Sequence, residues 1–269
     1  LGAIMMICAL VFLGCPLRMV LRMSAGDMSA YVGLVGFLGG LATGIVFLKK
    51  GYTLGEAVAT RKSQGYTVPL LVAVLFIISV ATTLFAVSTK GPGSMHAPVF
   101  FSLLAGLIFG IIAQRTRMCF SGAFRNVMMY KDSTMLCSII GIFVIMLIYN
   151  LGTWHFNIAA FGPIAHGDVL WNIASMYGVG LAATLAGGCP LRQLVLAGSG
   201  SSDSAMTVLG MLLGAAVAHN FNLAAVPGVA SKFVVGGPSI SGQVAVIISI
   251  IILLVIGIWG SHKTKASTN

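Results

Sequence analysis

The sequence predicts an all-α, polytopic membrane helical bundle with an inverted-topology internal repeat and broken or re-entrant helices. Three observations carry that prediction. Only 7% of residues are charged, 58% are hydrophobic and the mean hydropathy is +1.03, too little charge to cover a water-soluble domain. Apolar runs of roughly 20 residues, the length a spanning helix needs, recur along the chain. The pentapeptide Gly-Cys-Pro-Leu-Arg occurs twice, at Gly14 to Arg18 and at Gly188 to Arg192, which sets Cys15 and Cys189 174 positions apart (189 − 15). At the same offset Gly36 matches Gly210, Gly40 matches Gly214, and the apolar stretch from Val68 matches the one from Gly242.

Taken in order, an apolar stub covers 1–13. Complete spans are expected near 30–48, 68–88, 98–113, 134–151, 169–187, 206–222 and 243–260. The run at 98–113 is short, which suits a tilted or partly re-entrant helix. Glycines four apart, as in Gly36/Gly40/Gly44, Gly106/Gly110 and Gly210/Gly214, allow close helix packing. The stub lacks the basic flank and small-residue cleavage site of a signal peptide. Because the chain opens at Leu1 rather than Met, a fragment or a processed product is expected.

The net charge is +10. Basic residues flank spans, so they read as orientation signals and not as a nucleic-acid surface. Residues 49–67 carry Lys49, Lys50, Arg61 and Lys62; residues 114–133 carry Arg115, Arg117, Arg125 and Lys131; the tail carries Lys263 and Lys265. The intervening loops at 89–97, 152–168 and 223–242 hold only Lys90 and Lys232. This alternation places 49–67, 114–133 and the C-terminus in the cytoplasm of a multi-pass inner (plasma) membrane protein. Five expected spans separate Arg18 from Arg192, an odd number, so the first motif faces outward and the second inward. That predicts an inverted repeat, with halves at 1–97 and 98–269; the alternative is a miscounted span, with both motifs facing the same way. Arg18 and Arg22 then lie outside, against the charge rule, and are expected to be tucked into the protein.

Within each motif, proline removes a helical donor and biases the preceding residue away from helical angles. Gly14, Pro16, Gly188 and Pro190 therefore predict helix breaks with a thiol at the break and an arginine three residues on. Broken backbone at membrane depth is tolerated only where protein buries it or it lines a cavity. A helix restarting there turns free N–H groups and a positive dipole end towards an anion. The alternative is an interfacial turn with a cysteine acting as a small hydrophobe; two oppositely oriented copies favour function. A third cysteine, Cys119, lies among Arg115, Arg117 and Arg125, whose guanidiniums suit an oxyanion.

No two of the five cysteines form Cys-x-x-Cys, and no histidine stands at metal-ligand spacing from any of them. Zinc and an adjacent-dithiol centre are not indicated, and no cofactor is implied. Cys8 and Cys137 sit in apolar runs and are expected in the core. Single thiols near arginines suit a soft sulfur or selenium anion. None of the five acidic residues falls mid-span, so no buried carboxylate relay is visible. Asp27 and Asp203 are expected to cap the helices after the two motifs. His155, His166 and His219 fall near span ends, and Trp154 and Trp171 read as interface anchors.

The two Gly-Cys-Pro-x-Arg breaks, together with an Arg-x-Arg-x-Cys-x-x-Gly-Ala-x-Arg segment, resemble the YeeE/YedE sulfur-transport family over essentially the whole chain. The sequence is most similar to the YedE-type branch named for selenium transport. The resemblance implies an inverted-repeat carrier, not an enzyme, that takes up a small sulfur oxyanion such as thiosulfate, or a selenium compound. It also implies that Cys15, Cys119 and Cys189 line a narrow substrate path. A cytoplasmic sulfurtransferase of the TusA type is the implied consumer. Arg18 and Arg22 outside, and Arg115, Arg117 and Arg192 inside, are expected to attract the anion. Two departures stand out. Met118 replaces the usual Phe, and the first half lacks its own arginine–cysteine segment. Its counterpart would precede Leu1, so at least two further upstream spans are expected. Two other classes stay open: a membrane thiol oxidoreductase, and a non-catalytic membrane subunit of a sulfur or selenium system.

Overall fold

Apolar runs become helices wherever the chain is described in the computed structural model, which covers residues 1–55, 62–82, 97–229 and 234–267. In order they are α1 (Gly2–Phe12), α2 (Pro16–Ser24), α3 (Met28–Lys49), α4 (Lys62–Ala81), α5 (Val99–Arg115) and α6 (Phe120–Tyr130). There follow α7 (Thr134–Gly152), α8 (Val169–Leu185), α9 (Pro190–Gly198), α10 (Ser202–Asn220) and α11 (Ile240–Ser267). The only β-structure among the described residues is three isolated bridges, so the chain is an all-α polytopic membrane protein.

Among the described residues, six segments are long and apolar enough to cross a membrane: Gly2–Ser24, Met28–Lys49, Val99–Tyr130, Thr134–Gly152, Val169–Gly198 and Ile240–Ser261. This differs from the seven spans and a stub read from the sequence. The stub is the first part of a longer segment broken before α2. The short run at 98–113 is likewise the first part of a broken segment. The run at 206–222 forms α10, but Ser202, Asp203 and Ser204 at one end and His219 and Asn220 at the other keep it outside the six. The span expected at 68–88 is helical to Ala81, and its residues from 83 lie outside the described residues. So do Glu56, Arg61, Lys90 and Lys232.

Four helices form the centre, and their directions follow from what touches what. On α3, Gly36, Gly40 and Gly44 face Ile173, Tyr177 and Thr184 of α8 in turn, so α3 and α8 run parallel. On α1, Gly2 and Ala3 meet Thr207, Gly210 and Gly214 of α10, while the Leu10 carbonyl accepts from Ala225 N beyond the end of α10. Those two helices are also parallel. Cys8 lies against Gly178, and Val11 against His166 before α8 begins, so α1 runs antiparallel to α8. The connectors α2 and α9 therefore stand at opposite ends of the four-helix centre.

The offset of 174 holds through this geometry. α2 at 16–24 matches α9 at 190–198, and the caps Asp27 and Ser201 of α3 and α10 also correspond. Gly26 and Gly200 before those caps share a left-handed backbone, with φ 91° and 92°. The contact of Gly40 with the Tyr177 backbone repeats as Gly214 with the Ala3 backbone. The most extensive helix pairing is α3 with α8, and the next is α1 with α10, its repeat-related partner.

These helices approach too closely for side chains. A Cβ at Gly40 would strike the carbonyl of Tyr177, and one at Gly180 the carbonyl of Phe37. Backbone-to-backbone contact of this kind builds membrane bundles where lipid supplies no hydrophobic drive. Phe12, Phe37, Leu41, Met176 and Leu181 fill the space beside the glycines and are fully buried. By contrast α5 buries only Ala113, and the large apolar side chains of α5 and α7 face outward, as lipid-facing helices do.

Arg22 and Asp27 fasten the α2 connector. Arg22 Nε lies 2.7 Å from Asp27 Oδ2; Nη2 donates to Ser29 Oγ at 2.6 Å and Nη1 to the Phe12 carbonyl at 3.2 Å. The guanidinium also sits 4.5 Å above the Phe12 ring. Asp27 caps α3, as expected, by accepting from Ser29 N at 2.9 Å. Asp203, expected as the cap of α10, instead lies in its first turn, because Ser201 takes the cap position and accepts from Ser204 N. Two further expectations fail. Cys137 is exposed on α7 and not in the core, because the buried side of that helix carries Ile139. His166 is fully buried, not interfacial, because its Nε2 donates to the Val11 carbonyl at 2.9 Å. Burial lowers its pKa below the usual imidazole value, so the neutral ring makes this bond.

Two outcomes follow, both read by thermal unfolding in detergent. Gly40→Ala is expected to destabilise by about 1–3 kcal/mol through overpacking, whereas Gly110→Ala, whose added methyl would meet nothing within 4 Å, is expected to be neutral. Asp27→Asn keeps a capping oxygen but strands the Arg22 charge, and is expected to cost about 3–5 kcal/mol. The double variant Arg22→Met/Asp27→Leu is expected to recover much of that loss.

Candidate functional site

Three helix interruptions share one local design. In each, a left-handed residue stands two positions before a cysteine: Leu13 (φ 61°) before Cys15, Arg117 (φ 51°) before Cys119, and Gly187 (φ 78°) before Cys189. Each cysteine is extended and is the N-cap of the next helix, α2, α6 or α9. Pro16 and Pro190 open α2 and α9 at the first turn, where a missing N–H costs nothing. Leu13 and Arg117 accept left-handed backbone despite a Cβ, a cost of about 1–3 kcal/mol each that surrounding structure must hold.

The glycine of the pentapeptide has a specific use. A Cβ at Gly14 would lie 3.0 Å from Arg18 Cδ, and one at Gly188 would lie 3.2 Å from Arg192 Cγ. Each arginine stem folds back over the glycine four residues earlier, which keeps its guanidinium beside the break. The cysteines are less easily explained by capping. Ser, Thr, Asp and Asn are the strong N-caps, and neither Cys15 nor Cys189 makes a side-chain capping bond. Cys119 does accept from Gly122 N, at 3.2 Å.

Two of the three breaks meet. Cys119 Sγ and Cys189 Sγ lie 4.0 Å apart, although 70 residues separate them. Ser121 Oγ is 3.3 Å from Cys119 Sγ. Cys119 is 7% exposed and Cys189 1%. Around them Met118, Phe120, Ala123, Ala113 and Ile139 form a cluster that also takes in Val20 and Leu17 of α2. The first break thus joins the same cluster through α2, while Cys15 itself is half-buried. Sequence reasoning gave the three cysteines but not this thiol contact, nor Ser121 as its polar neighbour.

The arginines fall into distinct environments. Arg22 is buried and neutralised by Asp27, with all three guanidinium nitrogens engaged. Arg18 Nη2 donates to the Ile164 carbonyl at 3.2 Å. Arg115 and Arg117 are exposed beside the α5–α6 break. Arg192 differs: its Nη1 is buried and has no hydrogen-bond partner. A buried guanidinium N–H without an acceptor is costly, and an anion at that point would supply one. A cavity of about 670 Å³ lies at the α2 connector, lined by Arg22, Asp27, Asn150, His155 and Asn157 among others. A smaller one, about 370 Å³, touches Gly187, Gln193, Ser201 and Asp203 at the opposite end. Among the described residues no group of three or more metal-ligating side chains occurs.

Known proteins resemble this chain in part. Over 122 residues the chain is 30% identical to the thiosulfate transporter TsuA of Spirochaeta thermophila, a stretch covering 44% of this chain and 35% of that protein. The chain thus matches about a third of the length of this curated relative. No solved structure matches. The family described as sulphur transport matches residues 115–269, from the arginines before Cys119 through the second pentapeptide to the last helix. With more than half of its length matched, the chain belongs to the sulphur transport (YeeE/YedE) family.

Proposed function

We propose that this protein moves a small sulfur-containing anion, of the thiosulfate class, across the inner membrane along a path formed by the three broken helices. The observation that carries the reading is the buried meeting of Cys119 and Cys189, with Arg192, three residues after Cys189, holding a buried N–H without a partner. Thiols are soft, weak donors suited to a sulfur atom, while Arg192, Ser121 and the backbone N–H groups at the helix starts suit oxygen atoms. An anion with a sulfur end and an oxygen end satisfies both sets. A selenium analogue fits the same chemistry. The family and the TsuA likeness support a sulfur anion as cargo.

In this reading the two ends of the path are the cavities at α2–α3 and α9–α10. Arg18, Arg115, Arg117 and Arg192 draw the anion in, and Arg22 holds the outer connector in shape. Cys15, Cys119 and Cys189 pass its sulfur onward. Opposite placement of α2 and α9, and contacts repeated at 174 residues, support an inverted repeat with halves at 1–97 and 98–269. The basic loops support a cytoplasmic C-terminus. Importing a charge of −2 against 100 mV costs about 4.6 kcal/mol, at roughly 2.3 per charge, which matches a concentration ratio of a few thousand-fold. Rapid consumption inside, by a sulfurtransferase of the TusA type, would hold the gradient.

Cells expressing the protein should take up ³⁵S-thiosulfate, and Cys119→Ala, Cys189→Ala and Arg192→Gln should each slow that uptake. One lost hydrogen bond of about 0.5–1.5 kcal/mol corresponds to roughly two- to thirteenfold per variant. ⁷⁵Se-selenite uptake in the same strains reports the selenium alternative. Undiminished thiosulfate uptake by Cys189→Ala would remove the thiol path. For orientation, a fluorescent-protein fusion after Asn269 should fluoresce and an alkaline phosphatase fusion there should be inactive. The opposite pattern reverses the topology.

A further inference from the structure

We propose that Cys119 and Cys189 are an oxidative modification site: a peroxide-class oxidant joins them in a reversible disulfide that ties the α5–α6 break to the α8–α9 break. Their sulfurs are 4.0 Å apart, against about 2.05 Å in a disulfide. Closing the gap asks for a shift of roughly 2 Å shared between two residues. Both cysteines lie at interruptions, each two residues after a left-handed hinge, Arg117 or Gly187. Both left-handed residues lie between the helices, at α5–α6 and α8–α9, and not within a helical turn.

The other thiols are placed differently. Cys8 is fully buried against Gly178 between α1 and α8. Cys137 faces outward on α7 and Cys15 is half-buried at the start of α2. Among the described residues no other two cysteine sulfurs come within hydrogen-bond reach.

The chemistry closes without a further reactant. Cys119, the more exposed of the two, attacks one peroxide oxygen; the O–O bond breaks, the first water leaves and Cys119 becomes a sulfenic acid. Cys189 sulfur then displaces that hydroxyl, which departs as a second water with the Cys189 proton. Two thiols lose two electrons and two protons in all, and the peroxide is reduced to two waters. The linkage rests on geometry alone. Its consequence rests on the function proposed above: both S–H donors vanish, the two breaks are pinned together, and transport stops.

The test uses full-length protein, purified in detergent and reconstituted in liposomes, before and after hydrogen peroxide. Non-reducing digestion and mass spectrometry should find a peptide pair linked through Cys119 and Cys189 that disappears with dithiothreitol. Thiosulfate uptake should fall to the level of protein-free liposomes and return with dithiothreitol. If both thiols remain alkylatable, are driven to sulfinic acid, or link instead to Cys15, the site is overturned. A linked peptide with undiminished uptake overturns the closure. A linked peptide in protein that moves no anion even when reduced contradicts the transport reading and not the modification site.

Discussion

A helix cannot stop inside a bilayer unless other groups take over the hydrogen bonds it abandons. That constraint organises this molecule. At the end of α1 the Ala9 carbonyl accepts from Gly14 N, Leu10 from Ala225 N, Val11 from His166 and Phe12 from Arg22. Two sequence-distant segments and the following helix α2 therefore converge on one helix end. The end of α8 is served more locally, by Gly187 N and by the Gln193 side chain reaching the Ala186 carbonyl at 2.8 Å. At α5 the turn 116–118 folds back, with Met118 N donating to the Ala113 carbonyl at 3.0 Å. Each solution leaves a cysteine as the N-cap of the next helix.

The two pentapeptides have the same backbone but not the same electrostatics. At the offset of 174, Arg22 corresponds to Leu196 and Asp27 to Ser201. The α2 connector is locked by a buried ion pair, whose loss leaves an uncompensated charge. The opposite connector has a neutral serine cap and an arginine, Arg192, with an orphan donor. In the proposed path the second end is the one with unspent affinity for an anion.

Much of this was legible in the chain. Gly-Cys-Pro-Leu-Arg announces a break because proline and glycine act locally, and both breaks lie where the motif stands. Gly36, Gly40, Gly210 and Gly214 announce close packing because a missing Cβ matters only where backbones touch. What escaped reading depends on contacts between distant segments. The Cys119–Cys189 pair spans 70 residues and has no local spacing to betray it. His166 looked interfacial by position, yet its imidazole fills a bond that only the folded end of α1 creates. Asp27 was legible as a cap; its pairing with Arg22 five residues earlier required α2 to turn back towards Phe12. Cys137 shows the reverse error, since an apolar run in a membrane protein says nothing about which side faces lipid.

The place where the cargo rests decides between a thiol path and any other route. Selenosulfate, a thiosulfate analogue with a strong anomalous scatterer at its soft end, can be located by diffraction from crystals of the protein grown with it. A thiol path predicts a selenium peak in contact with Cys119 Sγ or Cys189 Sγ, with oxygens turned towards Arg192 and Ser121. A selenium peak confined to the open cavity of about 570 Å³ between α5 and α9, lined by Leu107, Gly110, Arg115 and Leu194, with the thiol pair unvisited, would contradict it.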